Sequence, residues 1–132
     1  MGRAAVILLD THAWVWWWDD PSQLSGPAAG ALAAADEVLV SAMSVWEVAM
    51  LAERGRMTPR QGAADWIRNA LRSPNTRLVD VDLDVAISAV GFTSHLRDPA
   101  DALIAATAQA FQVPVVTKDP TMQAVPGVVA IW

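Results

Sequence analysis

Five carboxylates spread along the 132-residue chain could act together only if the fold gathered them: Asp10, Glu47, Asp98, Asp101 and Asp119. Acids brought together without basic partners repel one another, and their pKa values rise unless a cation neutralises them. The chain has no cysteine, so such a site would offer oxygen donors, which suit Mg²⁺ or Mn²⁺. The chemistry served by a hard divalent ion among carboxylates is metal-assisted hydrolysis of a phosphoryl or phosphodiester bond.

Each acid also has a purely structural explanation. Ser44 and Glu47 have capping-box spacing. Asp98-Pro99 and Asp119-Pro120 read as helix starts, with aspartate as cap and proline in the first turn. Asp101 would complement a helix dipole. Asp10 is harder to explain this way. It ends the apolar run AVILL (5–9) and carries no recognisable cap motif.

The elements that must position these acids are legible as apolar runs. AVILL (5–9), EVLVSA (37–42), TRLVDV (76–81), VPVVT (113–117) and GVVAI (127–131) are short and continuous rather than alternating. Such runs predict a parallel sheet of four to five strands covered on both faces. Helical stretches lie between them: GPAAGALAAAD, SVWEVAMLAERG opening at Ser44, TPRQGAADWIRNALR capped by Thr58, LDVAISAVGF, and DPADALIAATAQAF. Strand–helix alternation indicates an α/β sandwich. In that class ligands bind beyond the carboxyl ends of the strands, where helix N-termini also collect. All five acids are predicted at that edge. No composition break divides the chain, so residues 1–132 are read as one domain.

Totals narrow the class further. Hydrophobic residues make up 54% and charged residues 17% of the chain, so part of the apolar surface is available for a partner to cover. No run approaches the roughly 20 apolar residues of a membrane helix, and Asp10 interrupts MGRAAVILLD too early for a signal peptide. A soluble, cytoplasmic protein is expected. Net charge is −5, from 14 acidic and 9 basic residues. That balance argues against a simple basic nucleic-acid-binding module. It leaves open an enzyme acting on nucleic acid through carboxylate-held cations.

The acids sit in four blocks, LLDTHAWVWW, SAMSVWEVAM, HLRDPADALIAATA and VVTKD, running in that order from residue 8 to 119. Together the blocks resemble those of PIN-domain ribonucleases, and more closely the VapC toxins of bacterial type II toxin–antitoxin pairs. The resemblance implies a PIN-like three-layer α/β/α sandwich and a Mg²⁺-dependent endoribonuclease, with Mn²⁺ as a substitute. It places the four family acids on Asp10, Glu47, Asp101 and Asp119, with Asp98 as a supporting acid and Thr117 as a small hydroxyl residue. No acid is missing, so nothing marks an inactive member. Asp10 and Asp101 would hold the ion, with Asp98, Glu47 and Asp119 completing the site directly or through water. Glu47 and Asp119 are both available to orient or deprotonate the attacking water, and one or two ions are compatible with the set. The resemblance also implies an RNA substrate, a homodimer, and a small VapB-type antitoxin laid across the protein near the site.

Other residues suggest contacts. Thr117 and Lys118, beside Asp119, are assigned to substrate, with Lys118 reaching a phosphate. Trp14, Trp16, Trp17, Trp18 and Trp46 favour core or protein interface over base stacking. Successive residues turn by about 100° around a helix, so the indoles of residues 14–18 cannot share one core. VWEVAMLA offers an apolar face to an antitoxin segment. His12 and His95 are read as structural. Arg54, Arg56, Arg60 and Arg68 form either a phosphate-contacting patch or a solvated face.

Two other functions compete. A receiver-like phosphoryl-transfer domain would use Asp10, Asp80 or Asp82, and Thr117-Lys118, but it leaves Glu47 and Asp101 idle. A non-catalytic interaction module would use every acid only as a cap.

Overall fold

The computed structural model describes residues 4–57 and 62–132. Five strands, β1 (Val6–Leu9), β2 (Glu37–Ser41), β3 (Thr76–Val79), β4 (Val115–Val116) and β5 (Ala130–Ile131), form one sheet in the order β3-β2-β1-β4-β5. Every pairing is parallel. The helices are α1 (Thr11–Asp19), α2 (Gly26–Ala34), α3 (Ala42–Glu53), α4 (Ala63–Leu71), α5 (Leu83–Ala89), α6 (Pro99–Phe111) and α7 (Pro120–Gln123). This is the expected three-layer α/β/α sandwich, with its sheet wholly parallel.

Successive strand residues point to opposite faces, which explains the unbroken apolar runs. Ile7, Leu9, Val38, Val40 and Val116 face one core with Trp14, Leu32, Val48 and Trp66, from α1 to α4. Leu8, Leu39 and Val115 face the other with Val85, Ile104 and Met122, from α5 to α7. Trp14 and Trp66 meet edge to face at 5.1 Å, and Trp66 Nε1 donates to Asp19 Oδ1 at 2.9 Å. These two indoles clamp α1 to α4.

The strand order decides where a site can form. From β1 the chain winds outward through β2 to β3, then returns across the sheet to place β4 on the other side of β1. The crevice between β1 and β4 is therefore the topological switch point, the position where open α/β sheets bind ligands.

Several local expectations are corrected. Helix α3 starts directly from β2, with Ser41 as cap accepting Met43 N–H at 3.0 Å. Ser44 lies buried inside the helix. Glu47 therefore sits in the second turn and is not part of a capping box. Asp10 does cap a helix: its Oδ1 accepts Ala13 N–H at 2.8 Å. Helix α4 begins after Gly62, whose φ of +86° suits glycine. The proposed cap Thr58, with Pro59, Arg60 and Gln61, lies outside the described residues.

The receiver-like alternative fails on this topology. Two helices, α3 and α4, separate β2 from β3. Asp80 and Asp82 follow β3, an outer strand two positions from β1, and Asp82 caps α5 by accepting Val85 N–H at 2.9 Å.

Candidate active site at the switch point

Asp10 and Asp119 leave adjacent strands at the crevice. Asp10 N–H continues the β1–β4 ladder to Val116 O at 3.1 Å, so its backbone is fixed by the sheet. One residue beyond β4, Thr117 is fully buried. Its Oγ1 accepts Asp119 N–H at 3.1 Å, and its hydroxyl lies close enough to the Asp10 carboxylate to lower that acid's pKa. A single buried hydroxyl thus lies beside both acids. Asp119 caps α7 by accepting Thr121 N–H at 2.9 Å, and Gln123 Nε2 donates to Thr117 O at 3.1 Å.

Glu47 enters from α3. The Thr11 hydroxyl donates to Glu47 Oε1, and the Thr11 and Ser44 oxygens are 2.9 Å apart. A hydroxyl has one proton to give, so Thr11 gives it to the carboxylate and accepts the proton of Ser44. Thr11 carries no reading in the sequence, and Ser44 is read there only as a helix cap. The available signals were their positions, next to Asp10 and one helical turn before Glu47.

From α6 come Asp98 and Asp101. Asp98 is the N-cap, accepting Ala100 N–H at 2.9 Å, and Asp101 lies half-buried in the first turn. Asp10, Asp98 and Asp119 therefore do serve as caps. Each N–H bond uses one oxygen of the carboxylate and holds its rotamer, so capping and a role in a site are compatible.

Electrostatics show the acids to be mutual neighbours. Asp101 is pushed up to about 7, first by burial and then by the charges of Asp98, Glu47, Asp119 and Asp10. Burial also raises Glu47, opposed by the Thr11 hydrogen bond and reinforced by Asp98. Asp10 is raised by burial too, against the hydrogen bonds from Thr117 and Ala13 N–H. Among the described residues the one ion pair is Arg77–Glu37 at 3.2 Å, which involves none of the five acids.

These residues fit a hard divalent cation. The donor set is oxygen, and positive charge is what would return Asp101 to its ionised form. Among the described residues, no three His, Asp or Glu side chains form a ready-made metal cluster. The acids ring the crevice more loosely, which suits an ion that keeps several waters.

The surroundings form three depressions. Asp10, His12, Trp16, Lys118, Asp119 and Pro120 line the first. The second carries Arg97, Asp98, Asp101 and Asp119. The third is apolar, with Met43, Trp46, Met50 and Pro99. Lys118 and His12 are exposed at the first depression, and His95 is exposed at the second. The indoles divide as their helical rotation requires. Trp14 is core, Trp17 packs against that core, Trp16 faces the first depression, and Trp18 and Trp46 are exposed. Arg54, Arg56 and Arg68 are exposed.

Comparison with known proteins agrees with this architecture. The family model of the PIN domain matches residues 7–128. The chain is 36% identical over 129 residues to Ribonuclease VapC22 of Mycobacterium tuberculosis, covering 96% of this chain and 98% of that protein. Among solved structures, it is similar to VapC20 of Mycobacterium tuberculosis, described as a sarcin–ricin loop cleaving toxin, with a TM-score of 0.71, 19% identity, and 93% and 96% of the two chains covered. It is similar also to VapBC2 of Rickettsia felis bound to a promoter DNA fragment, with a TM-score of 0.71, 14% identity, and 95% and 96% covered. The chain belongs to the PIN-domain family, among the VapC toxin ribonucleases.

Proposed function

We propose that this toxin is a Mg²⁺-dependent endoribonuclease, active also with Mn²⁺, whose site is the acid ring at the β1–β4 crevice. The observation that carries the reading is the convergence of Asp10 and Asp119 on one depression and of Asp98, Asp101 and Asp119 on the next, with no ion pair to any of them among the described residues. Carboxylates crowded in this way repel one another, and a bound cation relieves that repulsion.

Asp10 and Asp101 would hold the ion, with Asp98 and Asp119 completing its shell directly or through water. When bound, the ion supplies Lewis acidity, lowering the pKa of the attacking water and stabilising charge on the scissile phosphate. Glu47, raised by burial, suits proton acceptance nearer neutral pH than an ordinary carboxylate. Thr117 is buried between Asp10 and Asp119, so we assign it to positioning these acids in place of substrate contact. Lys118, exposed on the rim, is assigned to an RNA phosphate.

The partners follow from exposed apolar surface. The Met43–Trp46–Met50–Pro99 groove borders Asp98 and suits a segment of a VapB-type antitoxin that would also cover the acids. On the α5 side, Leu83, Ile87 and Val90 are 75%, 63% and 70% exposed. Their spacing of four and three residues makes one stripe, which a second copy would cover in a homodimer. We read residues 1–132 as a single domain working in the cytoplasm; no helix among the described residues is long and apolar enough to cross a membrane.

The test is RNA integrity after treatment with wild type, Asp10→Asn and Asp101→Asn, with Mg²⁺, Mn²⁺ or chelator. Wild type is expected to cut internally with either ion, while both variants and the chelated enzyme leave RNA intact. Cleavage that persists in chelator, or in both variants, would remove the reading.

A further inference from the structure

The first depression has a feature that the acid chemistry does not use: one wall is aromatic. His12 and Trp16, four residues apart on α1, present neighbouring rings with centroids 5.9 Å apart. Trp16 also meets the ring of Trp132, tilted, at 5.7 Å. Lys118 Nζ stands over the Trp16 ring, 5.7 Å from its centroid. The same depression is lined by Asp10 and Asp119. The depression, about 410 Å³, is of a size that holds a small organic ligand.

From this arrangement we infer that the His12–Trp16–Lys118 wall is a stacking subsite for one unpaired nucleobase next to the scissile phosphate. The inference rests on the ribonuclease reading of the acid ring. A phosphate drawn in by a cation at Asp10 and Asp119 would bring its adjoining nucleotide into the depression that Trp16 also lines. An indole accepts any base, since every base has a π face. Single-stranded RNA, with its bases free of a duplex, is the substrate form that can use such a wall.

Lys118 makes the wall switchable. Its ammonium rests over Trp16 by cation–π attraction, and its four-carbon stem is flexible. An arriving phosphate draws the ammonium away and uncovers the indole face for the base. Trp132 packs against the ring, so little side-chain freedom is lost on stacking.

The test compares two short labelled single-stranded RNAs, one with all its bases and one abasic throughout. Binding is measured in Ca²⁺, a hard oxygen-seeking ion, for wild type, Trp16→Leu and Trp16→Phe. Wild type should prefer the base-bearing RNA by about 5- to 100-fold. Trp16→Leu should lose most of that preference, and Trp16→Phe should retain most of it. Equal preference in wild type and Trp16→Leu, or none in wild type, overturns the subsite. Unchanged RNA binding by Trp16→Leu together with weakened antitoxin binding would reassign the wall to protein recognition. Cleavage in Mg²⁺, followed in parallel, separates the two readings. Cutting without a Trp16-dependent base preference removes only the subsite; the preference without cutting removes only the nuclease.

Discussion

Thr11 donates its hydroxyl proton to Glu47 across the contact between α1 and α3. The bond lowers the pKa of a carboxylate that burial and Asp98 raise, and Ser44 completes the chain of hydroxyls behind it. A residue adjoining Asp10 thus controls an acid carried by another helix.

Thr11→Val keeps the β-branched shape but removes the donor. Glu47 should then titrate higher, moving the acid limb of the pH–rate profile upward. Stability should fall by about 1–3 kcal/mol, since Ser44 is left buried with one partner fewer. Thr11→Ser should restore both. The measurement is kcat/KM against pH on a cleavable RNA, with chemical denaturation of each variant.

Asp10→Asn separates capping from charge. Asparagine caps a helix about as well as aspartate, so the bond from Ala13 N–H should survive and the metal-free melting temperature should hold or rise. Loss of a buried charge favours the fold, since burial raises the Asp10 pKa. Stabilisation by added Mg²⁺ should nearly vanish, with cleavage down by at least about 100-fold, roughly what one strong electrostatic contact supplies. Calorimetry with and without Mg²⁺ provides the check; a variant that still gains stability from the ion contradicts the assignment.

The pH dependence of metal-free stability has a definite sign. Asp101 rises from an ordinary 3.8 to about 7 in the fold, so between those values the native state binds more proton than the unfolded chain. Stability must then fall as pH rises through that window and level off above it. Asp10 and Glu47 are raised as well and act in the same direction. Melting temperatures in chelator should decline from pH 4.5 towards about pH 7. Asp101→Asn should flatten much of the slope, and saturating Mg²⁺ should reverse it, because the ion binds the ionised acids. A metal-free wild type that gains stability on going to pH 7 would contradict the raised value.

Trp14→Ala should cost about 3–5 kcal/mol. Trp14 is fully buried and packs edge to face on Trp66, so its loss opens the seam between α1 and α4. Because α1 carries Thr11, His12 and Trp16, the cleavage rate should drop with stability. Trp18→Ala, at a position 40% exposed on the same helix, should cost less, about 1 kcal/mol. Denaturant melts of both variants decide the matter.

Much of the site could be read from the chain because its parts are local. A continuous apolar run ending on Asp10 already places a carboxylate at the end of an interior strand. Asp-Pro pairs at 98–99 and 119–120 mark helix starts, and both aspartates cap as expected. The misreadings were also local. Ser41 was available one turn earlier than Ser44 as a cap for α3. Thr-His-Ala after Asp10 shows no obvious cap motif, yet an aspartate in extended conformation needs only a free backbone N–H two or three residues on to serve as a cap.

The sequence alone determined the strands, the two-faced burial of β1, β2 and β4, and the order of the acids, because these depend on periodicity and residue type. Tertiary structure decided the rest through contacts between distant segments. It put β4 beside β1, so that Thr117 lies beside both Asp10 and Asp119. It brought four carboxylates near Asp101 and lifted that acid to about 7. It also sorted the indoles: neighbours on one helix, Trp14 went to the core while Trp16 turned to the acids. Burial and charge act through space, and the distances that govern them exist only once the chain has folded.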